Sequence, residues 1–229
     1  STDRQYGTSQ FNPNYNNNMY VGYMYTSGEA HGTGTSSTIK TNVDKFYTDK
    51  LSSYASKLDT NAGFCGDRSN LNGQSGVGTG TVTTYNKGYL RVVESAPTLT
   101  CENASDYYTV ASASSGNKKL SYPIGLITAD EMMLAGHAGG VFDGTYNHVK
   151  TNNGSYLVTG NSFWTMTPAG GYPPFGGDWW DVDVFHEHGS GNFDDNNAHH
   201  TSGLRPVINL KADVTITGSG TMNDPYVVS

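Results

Sequence analysis

Between Phe163 and Leu210 the chain gathers all three of its tryptophans, four of its seven histidines and six acidic residues, with no lysine or arginine before Arg205. Side chains of these types support three kinds of chemistry. His186 and His188 are two apart, so on a strand they share a face; with His199 and His200 close in sequence, they are ligand types that suit zinc. Asp178, Asp181, Asp183, Asp194 and Asp195, with Asn196, could supply the oxygens that calcium takes. Neither spacing matches a standard ligand loop, so no metal ligand is assigned and calcium stays open as the one cofactor the residues could hold.

The third kind is recognition. Alternation along Trp179–His188 puts Trp180, Val182 and Val184 on one face, the expected core side. Trp179, Asp181, Asp183 and Phe185 fall on the other, expected to meet solvent. Rigid aromatic area beside Asn, Asp, His and Gly is what adaptable binding surfaces use. The expected ligand-binding set is Tyr172, Phe175, Asp178, Trp179, Asp181, Asp183, Phe185, His186, His188, Asn192, Asp194, Asp195, Asn196, His199 and His200. Four histidines in it imply binding that changes near pH ~6.5. The sequence has no nucleophile elbow, no HExxH and no phosphate-binding loop, so a catalytic role is not expected.

Those residues need a scaffold, and the flanks read as one. Phe163–Pro168 and Gly203–Leu210 look like paired core strands, with Val214–Ile216 and Tyr226–Val228 as further strands. Upstream, Ile39, Val43, Phe46, Tyr47, Leu51, Tyr54 and Leu58 recur at spacings of three and four, which predicts an amphipathic helix capped by Ser37 and broken near Ser52. Thr128–Glu131 is a capping box opening a short helix that Gly136 ends in the left-handed conformation. Short strands are expected at Met19–Tyr25, Tyr89–Val93, Tyr107–Val110 and Ser155–Val158. Residues 1–18 read as a linker or N-terminal extension, and 19–229 as a single domain whose ligand-binding region is 163–210.

Composition narrows the class. At 229 residues the chain can bury a real core; only 35% is hydrophobic and 14% charged, with 29 Gly and 16 Tyr making up a β- and loop-rich exported type. A net charge of −7 and no basic cluster exclude nucleic acid as a partner. No apolar run reaches the ~18–20 residues that span a bilayer. An export signal is expected to lie outside these residues. Cys65 and Cys101, in no CxxC pattern, read either as one disulfide or as two buried thiols.

The segment SYPIGLITADEMMLAGHAGG (121–140), Asn161–Thr165 and Gly203–Leu204–Arg205 are similar, in order and spacing, to motifs of the sulfatase-modifying, formylglycine-generating proteins. The resemblance covers roughly residues 120–210. It implies an α+β, C-type lectin-like fold: small twisted antiparallel sheets, two or more short helices and long loops. That family's oxidase chemistry resides in C-terminal cysteines, and this chain has none after Cys101, so the activity is not implied.

The phrases YPIGLITADE, FWTMTP, GLRPVINLKADVTITGSGT and NDPYVVS also resemble a family of surface proteins of gut Gram-positive bacteria, some with a pilin-type export helix. The variable proteins of diversity-generating retroelements share the scaffold. Their diversified stretch corresponds to residues 169–202, nearly all of them reachable from an Asn codon. These resemblances imply an extracellular or cell-surface module that binds a protein or glycan on another cell, phage or host surface. A pilin-like subunit of a pilus or other cell-surface assembly is the alternative.

Overall fold

The computed structural model describes residues 5–71, 84–111, 116–137, 155–172, 181–221 and 223–228. The architecture is α+β, and it is organised by one sheet. Its strands are β1 (Gly7–Gln10), β2 (Thr84–Tyr85), β3 (Phe163–Tyr172), β4 (Asp181–Glu187), β5 (Phe193–Asn197) and β6 (Thr201–Leu204). They run in the order β1-β6-β3-β4-β5, with β2 paired to the far end of β3. The β6–β3 pair is parallel and meets at Gly203 and Phe163; the other pairs are antiparallel. Two-residue ladders, among them Phe64–Cys65 with Tyr107–Tyr108, and Gly125–Leu126 with Pro206–Val207, stitch loops to the body.

The sheet is covered on both faces. On one, Trp164, Met166, Val182, Val184 and Leu204 pack against Phe11, Val21, Tyr23, Ile39 and Val43. Trp164 is fully buried and donates from Nε1 to the Ser9 carbonyl at 2.8 Å, so the indole satisfies its one polar atom inside the core. The face is closed by α1 (Thr38–Phe46), with Ser37 as its cap (Oγ accepts from Lys40 N). A π-helical turn Tyr47–Leu51 and a 3-10 segment Ser52–Lys57 continue it, which is the break foreseen near Ser52.

The opposite face is covered by α2 (Lys87–Glu94) and α3 (Ala129–Leu134). There Val92, Ala129 and Met132 bury Phe163, Ala169, Phe185 and Phe193. The capping box at Thr128 and Glu131 is formed in both directions, and Gly136 follows the helix at φ +88°. The Arg91 guanidinium ties the two helices together through Asp130 (Nε to Oδ1, 2.7 Å). In the middle of β3 the register shifts on both sides of Pro168, which has no N–H for the ladder. The kink turns Met166 N to the Ile127 carbonyl and lets Thr167 Oγ1 accept from Ala129 N, docking α3 onto the strand.

Four expectations are corrected. Residues 5–18 are not a linker: β1 is the sheet's terminal strand and Phe11 lies wholly in the core. Met19–Tyr25 is a 3-10 turn (Asn18–Val21) with a two-residue strand. Tyr89–Val93 is helix, because α2 meets Asp67 and Asp130 through Arg91 and the second core through Val92, contacts that outweigh the β-leaning YLRVV. Ser155–Val158 is a turn closed by a bond from Val158 N to the Ser155 carbonyl. Cys65 and Cys101 form a disulfide with an S–S distance of 2.06 Å, so the free-thiol reading falls.

Candidate functional site

Antiparallel pairing of β4 with β5 places the expected site residues in two groups. Asp183 stands opposite Asn197, Asp195 opposite Phe185, and Asp194 opposite His186. The acidic group comprises Asp181, Asp183, Asp194 and Asp195, all half-buried. Burial lifts the Asp183 carboxyl well above the carboxylate range, and the neighbouring Asp195, Asp181 and Asp194 raise it further. Burial and a hydrogen bond with Asp195 push Asp194 to about 8. Asp183 and Asp194 therefore tend to keep their protons at neutral pH and can donate as well as accept hydrogen bonds. Tyr89 is drawn into the same environment: burial, with Tyr85, Asp195 and Asp194 nearby, keeps its phenol protonated.

The second group is imidazole. His186 is buried beside Trp164, ring centres 5.5 Å apart, and its Nε2 lies 3.0 Å from Nε2 of His188. Burial, then His188 and His200, lower the His186 pKa to about 3. His200 is exposed, with Nδ1 2.8 Å from Asn196 Oδ1. His199 stacks on Tyr15 with centres 4.3 Å apart and bonds to Asn197 Oδ1; burial and His200 lower its pKa. Asn192 sits in the turn between β4 and β5, accepting from His188 N at 2.7 Å.

The structure therefore brings together Asp181, Asp183, Asp194, Asp195, Asn196, His186, His188, His199 and His200 at one edge of the sheet. Two expectations for this set change. Phe185 is 3% exposed, because α2 and α3 cover the face that alternation assigned to solvent. His186 is 2% exposed and held neutral, so it cannot titrate near 6.5. Tyr172 ends β3 opposite Asp181. Phe175, Asp178 and Trp179 lie outside the described residues. Among the described residues no group of three or more His, Cys, Asp or Glu side chains is disposed to hold a metal ion, which covers Asp181, Asp183, Asp194 and Asp195 of the calcium set.

Sequence reading missed other polar centres, among them the two that follow. Asp106, fully buried, accepts from Arg68 Nε and backbone N and lies 2.7 Å from His31 Nδ1. A cleft of about 220 Å³ is lined by Asp67, Arg91, Thr98, Tyr107, Asp130 and Thr167. These residues are spread from 31 to 167, so no local spacing could have announced them; only the acid and base composition of the middle of the chain hinted at paired charges. In the first centre Arg68 and His31 meet Asp106; in the cleft Arg91 bridges Asp67 and Asp130.

No protein-family model, no curated protein and no solved structure matches the chain.

Proposed function

We propose that this chain is an exported, non-catalytic binding module, a C-type lectin-like domain that presents the β4–β5 edge and the turn at His199–His200 to a protein or glycan on another surface. The observation that supports it is the crowding of four aspartates on a strand pair packed from both sides. Holding carboxyls protonated near neutral pH costs stability, and costs of that kind collect at functional surfaces. The arrangement suits recognition, with protonated and ionised carboxyls, amides and imidazoles offering donors and acceptors on a rigid frame. The disulfide fits an oxidising compartment, and no helix among the described residues is long and apolar enough to cross a membrane. On this reading residues 169–202 are the stretch open to diversification, apart from those the core needs, such as Val182, Val184, Phe185 and Phe193.

The test is a glycan and protein array probed with the native domain and with Asp194→Asn/Asn196→Ala/His200→Ala. A reproducible ligand whose binding falls at least tenfold in the variant, at a melting temperature no lower than that of the native chain, supports the reading. Absence of any ligand together with assembly into fibres would replace it with the filament-subunit alternative.

A further inference from the structure

Two imidazoles facing one another nitrogen to nitrogen make an arrangement with limited uses. His186 and His188 sit at the end of β4, two residues apart, and their Nε2 atoms approach to 3.0 Å with ring centres 4.1 Å apart. His186 is almost wholly buried against Trp164, and its other ring nitrogen, Nδ1, is buried with no hydrogen-bond partner. The ring is thus oriented by packing, with its one engaged nitrogen aimed at His188. His188 is half-buried, at the start of the tight turn closed by Gly191 N bonding to the His188 carbonyl.

We propose that His186 Nε2 and His188 Nε2 form a bidentate chelate for a divalent transition-metal ion of the zinc and copper class. A tetrahedral ion bound at ~2.05 Å by two imidazoles separates their nitrogens by about 3.3 Å, so the pair needs to open by only a few tenths of an ångström. Neutral imidazole is the favoured nitrogen donor for Zn²⁺, Cu²⁺ and Ni²⁺, and a poor one for Ca²⁺ and Mg²⁺. The ring that carries its proton on Nε2 moves it to Nδ1 when the ion binds, with no change of charge. Two protein ligands leave the remaining positions to water, since among the described residues no third His, Cys, Asp or Glu joins the pair. The inference does not depend on the binding-module reading above: the chelate stands or falls on these two rings.

The experiment is titration of the full chain with Cu²⁺, Ni²⁺, Zn²⁺ and Mn²⁺ chlorides at pH 7.5. Heat of binding and the ¹H–¹⁵N imidazole resonances are followed in the native chain, His188→Gln and His199→Gln. The expected result is one ion per chain, affinities in the order Cu²⁺ above Ni²⁺ above Mn²⁺, and perturbation of the His186 and His188 Nε2 resonances. His188→Gln, whose residue is not in the core, lowers affinity at least tenfold; His199→Gln stays within twofold. Equal binding by native and His188→Gln chains, or an ion taken up without movement of those two resonances, overturns the proposal.

Discussion

At the scale of single residues the edge of the sheet carries titrations of opposite sign. Asp194 has a folded pKa of about 8 against ~3.9 unfolded, raised by burial and by Asp195. The folded state therefore binds more protons than the unfolded one between those values, and this pair's contribution is lost as pH rises from about 4 through 8. His186 behaves in the reverse sense. Its folded pKa of about 3 lies below the unfolded ~6.5, so its contribution is complete above 6.5 and is lost as pH falls toward 3. Urea denaturation from pH 4 to 9 should show Asp194→Asn gaining stability relative to the native chain above pH 8, with little difference at pH 4. His186→Gln should lose less stability than the native chain between pH 6.5 and 4. A parallel displacement of either variant at every pH would mean the side chain acts through packing alone. Trp164 offers the plainer case: with a fully buried indole and a hydrogen bond to Ser9, Trp164→Ala should cost about 3–5 kcal/mol in the same measurement.

Elements were legible where their determinants are local. The Ser37 cap and the Thr128–Glu131 box each depend on atoms within one helical turn, and both form as their spacing predicts. The strand at Phe163 and its partnership with Gly203 followed from an aromatic, β-favouring run and the closing Gly-Leu-Arg, where a Cβ on Gly203 would sit 2.3 Å from the Ser162 carbonyl. What a strand's second face meets is a different matter. Alternation along β4 separates Val182 and Val184 from Phe185, but it cannot say that α2 and α3 arrive to cover the second face. The polar GTSQ of β1 likewise carries no apolar alternation; Tyr6 N and the ladder to β6 hold it, all long-range bonds. The site was legible as a cluster of residue types, and its division into an acidic and an imidazole group needed the β4–β5 register. Phe185→Ala tests the second core directly. With Phe185 against Phe193 (ring centres 5.5 Å) and Tyr89, it should cost about 3–5 kcal/mol, whereas a surface phenylalanine would move stability by under ~0.5 kcal/mol.

For the whole molecule the question is what holds the non-sheet half in place. The strap from Thr98 to Asn103 lies between α2 and the turn that opens β-pairing at Tyr107. Its ties include Thr98 N to Asp130 Oδ1 at 3.0 Å, the ion pair of Glu102 with Lys87 of α2, and the Cys65–Cys101 disulfide. The disulfide joins residues 36 apart, and removing that constraint frees a loop whose closure entropy amounts to about 4 kcal/mol. Domains of this size have on the order of 5–15 kcal/mol in total, so the loss is a sizeable share. Cys65→Ser/Cys101→Ser should therefore unfold at a clearly lower urea midpoint with a larger slope, since its unfolded chain is less compact. The effect should be uneven across the fold. Amide exchange should rise first around the cleft at Asp67, Arg91 and Tyr107, while Val182, Val184 and Trp164 keep the protection of the two-sided sheet. If exchange rose equally at the β4–β5 edge, the edge would depend on the strap, and its rigidity as a recognition frame would have to come from the disulfide rather than from the sheet.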